Sequence, residues 1–180
     1  ATGFASEAYL ETPCPPGGCF LFFPGDFIAL AGAQVVNGID FTLEPHGTIT
    51  GTVRRADTQA PLANVDVLAV TAAVQAVGSG TTDANGVYSI SVPAGAHYVV
   101  TGNQDGWIDE LHDDIPCAFA RCDFSAAPTV NVISNQATPG IDFALERGGR
   151  LGGLLTDLGT GLPVQVLVSM QLYDAAGQIL

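Results

Sequence analysis

Two pairs of cysteines are the residues whose type and spacing most directly suggest chemistry in this chain. Cys14 and Cys19 form one C-x4-C pair, and Cys117 and Cys122 form another. We expect a local disulfide within each pair, because paired cysteines in an acidic chain rich in glycine and threonine are typical of an oxidising compartment. Two alternatives stay open: both pairs converge on one four-cysteine zinc site, or all four thiols are reduced and buried.

An acidic segment precedes each cysteine pair and is the second candidate site. Carboxylate oxygens are the ligands that Ca²⁺ prefers. A weak calcium site would take its ligands from Glu7, Glu11, Asp109, Glu110, Asp113 and Asp114. We favour the simpler interpretation of a solvated acidic loop, because few of these positions are acidic in both segments and no Asp-x-Asp-x-Asp-Gly loop occurs. No other cofactor is expected.

The remaining reactive side chains form no recognisable catalytic pattern. The three histidines are scattered along the chain, at His46, His97 and His112. No Gly-x-Ser-x-Gly elbow occurs, and Gly78-Ser79-Gly80 is interpreted as a hairpin-type turn, since it lacks the spacing of a phosphate loop. We therefore predict that the chain is not an enzyme.

An aromatic platform is the remaining candidate for ligand binding. Trp107 with Tyr98 or Phe119 would stack against a sugar ring, which makes a glycan one candidate partner. A single tryptophan near a turn is more often part of the core, and we favour that interpretation.

The elements that position these residues recur along the chain. Gly38-Ile39-Asp40-Phe41 returns as Gly140-Ile141-Asp142-Phe143, at an offset of 102 residues (140 − 38). The cysteine pairs recur at an offset of 103 (117 − 14). Such a period indicates an array of modules about a hundred residues long. The frame predicts the C-terminal part of one module over 1–46, a complete module over 47–147, and the N-terminal part of a third over 148–180.

The repeated Gly-Ile-Asp-Phe segment is predicted to be the last strand of a module and the junction to the next. Alternation places Ile39 and Phe41 on one face and Asp40 on the other, and the same holds for the second copy. We therefore expect Asp40 and Asp142 to make structural or inter-module contacts and to have no catalytic role. The partial modules are expected to be completed by a neighbouring chain or by further sequence, because half a sandwich exposes its edges.

Period-two alternation predicts short strands throughout the complete module. They are expected at 49–53, 64–70, 87–92, 96–101, 128–133 and 141–145. In the fourth of these, Tyr98 and Val100 are expected to face inward. Asn85-Gly86 is the strongest turn signal and suits a tight hairpin. The chain is therefore predicted to be all-β, with tandem antiparallel sandwich modules.

Four segments together resemble the carboxypeptidase regulatory-like domain, and the collagen-adhesin B-type repeat is similar. These segments are 49–53, 60–65, 82–88 and 92–98. The resemblance implies a seven-stranded, prealbumin-like (Ig-like) sandwich, to which the cysteine loop would be an addition. B-type repeats often contain a Lys–Asn isopeptide bond, which cannot form here because the chain has no lysine.

The net charge and the hydropathy of the chain limit which partners and which kinds of protein can be expected. The net charge of −13 argues against nucleic acid and anionic membranes as partners. No apolar run reaches the ~18 residues that span a bilayer. We predict a non-catalytic structural repeat of an extracellular, cell-surface or filament-forming protein, whose partners are neighbouring copies of the same module or chain. The alternative is a carbohydrate- or calcium-binding accessory module of a larger secreted enzyme.

Overall fold

The computed structural model describes residues 3–9, 12–14, 19, 27–102, 106–117, 122–125, 127–149 and 152–164. Over these ranges the regular elements are strands: β1 (Glu7–Ala8), β2 (Thr12–Pro13), β3 (Gly47–Arg55), β4 (Asp66–Val70), β5 (Ala76–Thr81), β6 (Val87–Val92), β7 (Gly95–Gly102), β8 (Asp109–Leu111), β9 (Ile115–Cys117), β10 (Val130–Val132), β11 (Ala137–Thr138) and β12 (Phe143–Leu145). None of the described segments is a helix long and apolar enough to cross a bilayer.

Strands β3 to β12 form two sheets, which confirms the predicted all-β sandwich. The larger sheet has the order β5-β4-β7-β8-β9, and β10 pairs with the first residues of β7. In the smaller sheet β3 lies between β6 on one edge and β11 and β12 on the other. All pairings are antiparallel except those of β11 and β12, which run parallel to β3. Among the described residues the larger sheet thus has six strands and the smaller sheet has four, and the seven-stranded framework implied by the resemblance stays a prediction.

The core lies between the two sheets and follows from the alternation of small and branched side chains. Along β3, residues Ile49 and Val53 point inward and are fully buried, while the threonines between them are only partly buried. β-Branched side chains fit a pleated, half-buried surface, so this pattern stabilises a strand with one face on the core. The remaining large core residues are Val65, Val67, Tyr88, Ile90, Val92, Val99, Val130, Val132, Ile141, Phe143 and Leu145.

The inward face of β7 is the opposite of the predicted one. Tyr98 and Val100 were expected to face the core, but the structure buries the alternate positions, which include Val99 and Thr101. The outer face is covered as well, because the ring of Tyr98 meets that of Phe124 edge-on at 5.2 Å. With apolar residues on both faces of the strand, alternation alone did not distinguish them.

Strand β5 replaces the turn that was predicted at Gly78-Ser79-Gly80. Its glycines allow β5 to approach β6 closely, since a Cβ at Gly80 would lie 2.6 Å from the carbonyl oxygen of Ser89. A glycine inside a strand often marks such a close backbone approach. The turn at Asn85-Gly86 forms with a positive φ of 74° at Gly86, but it joins strands of different sheets instead of closing a hairpin.

Candidate functional site at the module ends

The predicted acidic loop is a short hairpin that extends the larger sheet. In it, Glu110 of β8 pairs with Pro116 of β9, and Leu111 pairs across to Val100 of β7. Glu110 and Leu111 are buried, so the solvated-loop interpretation is wrong for these residues. The hairpin turns at Asp113, which has a positive φ of 75°. The sequence did not indicate these two strands, because the segment is rich in Asp and Glu, which are usually depleted in strands.

Each cysteine pair closes a disulfide next to such a hairpin, which confirms the first prediction. Cys117 and Cys122 are bonded with a Cα–Cα distance of 4.2 Å, and Cys14 and Cys19 with a distance of 5.0 Å. No free cysteine is present, so the zinc and reduced-thiol alternatives are wrong. A six-residue loop removes limited entropy from the unfolded chain, and each disulfide therefore acts locally.

The same hairpin geometry occurs in the N-terminal segment. In the hairpin β1–β2, Glu7 pairs with Pro13, and both positions lie 103 residues before the pair Glu110–Pro116 (110 − 7 = 116 − 13). The turn after β3 also recurs near the C-terminus. Arg54 bridges to Pro61, and the identical bridge joins residues 156 and 163, which lie 102 positions later (156 − 54 = 163 − 61).

Glu110 fastens its hairpin to the last strand of the module. Its side chain is only 6% exposed, and its carboxylate accepts a hydrogen bond from the backbone N–H of Ala144. Among the described residues, its second oxygen, Oε2, has no hydrogen-bond partner. Burial, followed by the charges of Asp114, Glu146 and Asp109, raises the pKa of Glu110 to about 7. This buried contact is therefore sensitive to pH near neutrality.

The N-terminal copy of the hairpin makes the equivalent contact. Glu7 Oε1 accepts a hydrogen bond of 3.0 Å from the N–H of Thr42. Glu7 precedes Glu110 by 103 residues and Thr42 precedes Ala144 by 102. The glutamate that is present in both acidic segments therefore has a structural partner in both, which period-two patterning did not reveal.

The remaining predicted calcium ligands do not converge in the described part of the chain. There, no group of three or more His, Cys, Asp and Glu side chains has the geometry to hold a metal ion. Asp109 accepts a hydrogen bond of 3.2 Å from the hydroxyl of Thr101, while Asp113 and Asp114 are exposed on the turn. Glu11 lies outside the described residues. Calcium binding stays a prediction.

The second copy of the Gly-Ile-Asp-Phe segment, residues 140–143, packs so closely against β3 that Gly51 has no room for a side chain. Tyr88 donates its hydroxyl to the carbonyl oxygen of Ile141 at 2.6 Å, and a Cβ at Gly51 would overlap that same oxygen. On the outer face, Asp142 Oδ1 accepts hydrogen bonds from the N–H of Thr52 at 2.7 Å and from its hydroxyl at 2.9 Å. Asp142 therefore holds the edge of β3, although Asp142 itself is exposed, as is Asp40 of the other copy.

The chain enters and leaves the module through short bonded connections. At the entrance, the hydroxyl of Ser134 donates to the carbonyl oxygen of Pro45 at 2.7 Å, and the N–H of Asn135 donates to that of His46 at 3.1 Å. At the exit, the N–H of Ile108 donates to the carbonyl oxygen of Glu146 at 2.9 Å.

Trp107 lies at the exit and packs against the core. The guanidinium carbons of Arg55 and Arg147 lie 5.3 and 4.9 Å from the centre of a Trp107 ring, a geometry that attracts cations to the aromatic face. Tyr98 contacts a different aromatic ring, and Phe119 lies outside the described residues. The predicted sugar platform is therefore not assembled from Trp107 and Tyr98. An open cleft of about 370 Å³ adjoins Arg147 and is lined by Ala56, Asp57, Leu145, Glu146 and Arg147.

Comparison with known families confirms the resemblance to the carboxypeptidase regulatory-like domain. The model of that family matches residues 48–111, which include β3 to β8 and the core alternation described above. No curated protein sequence matches the chain significantly.

Solved structures provide two further likenesses. A type II cohesin–X–dockerin complex from Acetivibrio cellulolyticus matches with 19% identity over 57% of this chain and 58% of that chain, at a TM-score of 0.37. The pilus 2b backbone protein of group B streptococcus matches with 16% identity over 59% of this chain and 43% of that chain, at a TM-score of 0.39. The chain thus spans about half the length of these structures.

Proposed function

We propose that this chain is a non-catalytic structural repeat of an extracellular, cell-surface or filament-forming protein, in which it serves as a stalk, spacer or adhesive array. One observation carries the proposal: the bonding at the end of the module recurs just before its start. Phe4 bridges to Pro45 before the module, and Trp107 bridges to Arg147 at its end, at offsets of 103 (107 − 4) and 102 (147 − 45). Recurrence of local geometry at a fixed spacing is typical of arrays of stacked units.

The disulfides support a location outside the reducing cytoplasm. Both recurring cysteine pairs are oxidised, and structural disulfides persist chiefly in secreted and surface proteins. Each disulfide follows a hairpin whose glutamate accepts a hydrogen bond from a distant backbone N–H, that of Thr42 or of Ala144. In the larger sheet, the two features together secure the hairpin β8–β9, which is too short to have a core of its own.

The short connection that precedes β3 supports a spacer role. Pro45 and His46 are bonded to Ser134 and Asn135 of the module they precede, so the connection lies against the sandwich. A flexible linker would need a longer polar segment without such contacts. Consecutive modules are therefore expected to bend little relative to one another.

Electron microscopy of the full-length protein tests this function. The nine residues of β3 span about 30 Å at ~3.3 Å per residue, so an array should appear as rods with an axial repeat slightly above that length. Compact particles that lack an axial repeat would contradict the proposal.

The accessory-module alternative makes a different prediction for ligands. Calcium is the ion to test, because Glu110 has a buried carboxylate oxygen without a hydrogen-bond partner among the described residues. A calcium-dependent rise in the melting temperature that is lost in Glu110→Gln, or binding on a glycan array, would favour that alternative. If the chain is a structural repeat without a ligand, neither result is expected.

A further inference from the structure

The turn between β5 and β6 contains an Asn-Gly pair, Asn85-Gly86, whose own chemistry the proposed function does not use. The backbone nitrogen of Gly86 can attack the side-chain amide carbon of Asn85, and glycine hinders this attack least because it has no side chain. The new bond closes a five-membered succinimide and expels ammonia, which carries away the proton of the glycine N–H. Water then opens the ring to aspartate or isoaspartate, so that a negatively charged residue replaces a neutral one.

Hydrogen bonds hold the attacking residue, Gly86, on both sides. Its N–H donates to the carbonyl oxygen of Asp83 at 2.9 Å, and its own carbonyl oxygen accepts the N–H of Val53 at 2.8 Å. Gly86 is also buried, and a Cβ there would lie 2.5 Å from the carbonyl oxygen of Val53. The nitrogen can therefore reach the side chain of Asn85 only after the turn has opened.

The carboxylate of Asp83 closes the turn around the pair. Its Oδ1 accepts the N–H of Val87 at 2.9 Å and that of Asn85 at 2.8 Å. These bonds hold the pKa of Asp83 below its usual range, so the carboxylate stays ionised and accepts both. A main-chain bond closes the same loop, since the N–H of Asp83 donates to the carbonyl oxygen of Val87 at 2.9 Å. Asn85 itself is exposed, so the fixed main chain protects it and burial of its side chain does not.

We propose that Asn85 is a latent site of spontaneous deamidation, which Asp83 keeps closed in the folded module. Asp83 is a positioning residue that holds the backbone N–H groups of residues 85–87, so that attack waits until the turn opens. The rate of conversion in the folded module is then the rate in the unfolded chain multiplied by the fraction of time that the turn is open. The inference goes beyond the proposed function and does not depend on it.

Conversion would damage the fold because this turn joins the two sheets. Strand β5 belongs to the larger sheet and β6 to the smaller one, and Gly86 is bonded to Val53 of β3. Isoaspartate adds a methylene group to the main chain, which changes the spacing between these hydrogen-bonding groups. By keeping the turn closed, Asp83 preserves the connection between the sheets.

The decisive experiment compares the rate of deamidation at Asn85 in the folded 180-residue chain and in the same chain unfolded in urea, at one mildly alkaline pH. Digestion and mass spectrometry separate the asparagine peptide from its aspartate and isoaspartate products. Opening the turn breaks three N–H hydrogen bonds to Asp83, so the folded chain should react about a hundredfold more slowly. In the unfolded chain the second pair, Asn37-Gly38, is the reference, and both pairs should react at similar rates.

Asp83→Ala removes the acceptor of two of these bonds and should speed conversion in the folded chain by about tenfold or more. Asp83→Asn keeps an acceptor oxygen and should restore most of the protection. Asp66→Ala is the matched control and should react like the parent, because Asp66 accepts the hydroxyl of Thr81 at 2.6 Å and none of its described hydrogen bonds reaches the turn.

Equal rates at Asn85 in the folded and the unfolded parent chain overturn the inference, as does equal acceleration by the two alanine variants. If Asp83→Ala does not fold, the comparison of the folded and the unfolded parent decides alone. Neither result would affect the rod-like repeat expected of the full-length protein.

Discussion

Replacing Glu110 by glutamine should change the pH dependence of stability in a defined direction. Burial and neighbouring carboxylates raise the pKa of Glu110 from 4.5 to about 7 in the folded protein. Its contribution is therefore fully present below about pH 4.5 and is lost as the pH rises through about 7. Each pKa unit corresponds to about 1.4 kcal/mol, so the loss amounts to about 3 kcal/mol.

The glutamine variant isolates this titration from the hydrogen bond. Its Oε1 can still accept the N–H of Ala144, but the side chain carries no charge next to Asp114 and Glu146. The free energy of unfolding of Glu110→Gln minus that of the parent should therefore rise by about 3 kcal/mol between pH 4 and pH 8. Urea unfolding at intervals of pH, with the disulfides kept oxidised, measures this difference directly.

Glu7→Gln provides the control. Glu7 makes the same contact with a backbone N–H, but it is half-exposed and belongs to the N-terminal segment. Its substitution should leave the unfolding of the middle module unchanged at every pH. If the difference between Glu110→Gln and the parent were flat with pH, or fell as the pH rose, the carboxylate would not be held in the unfavourable environment described here.

Three further substitutions address the packing of the module. Gly51→Ala should destabilise it by about 3 kcal/mol or more in calorimetry, because the added Cβ overlaps a backbone carbonyl. Asp142→Ala removes the acceptor of two hydrogen bonds and should cost about 1–2 kcal/mol in urea unfolding. Replacing Cys117 and Cys122 together by serine should cost about 2 kcal/mol, the entropy of a six-residue loop, and should increase hydrogen exchange in β8 and β9.

Each of these changes has a counterpart outside the module that serves as its control. Gly153→Ala, Asp40→Ala and the double replacement of Cys14 and Cys19 by serine should all leave the melting temperature of the module unchanged. A large loss of stability in any control would mean that the terminal segments fold cooperatively with the module. A stable Gly51→Ala variant would instead show that β3 and the junction segment can separate without cost.

Alternation and spacing were sufficient to predict the main strands and the disulfides. Ile49 and Val53 alternate with threonines, so one face is unambiguous, and a C-x4-C pair brings its sulfurs together by chain geometry alone. Prediction failed where both faces of a strand are covered, as at Tyr98, and where the partner is distant in sequence. The pairing of β12 with β3 joins residues that are 90 apart (143 − 53), and local pattern carries no information about it.

The sequence predicted which residues belong to the candidate site, but it did not predict their hydrogen-bond partners. Both glutamates were identified as members of an acidic cluster, because clustered carboxylates suggest a cation. Their actual partners are backbone N–H groups of Thr42 and Ala144, which no side-chain pattern can indicate. The hydrogen bonds from Thr52 to Asp142 likewise join residues that are 90 apart in the sequence, so no local pattern indicates them.

The parallel pairing of β12 with β3 determines how the module would respond to tension. A pull along an array would act on Gly47, where β3 begins, and on Leu145, where β12 ends, in opposite directions. Since the two strands run the same way, the load would slide them past each other and strain their hydrogen bonds together. Breaking the bonds one at a time, as in peeling a hairpin, would require force at a single end. Forced unfolding is governed by the barrier to unfolding, so this arrangement favours high mechanical resistance.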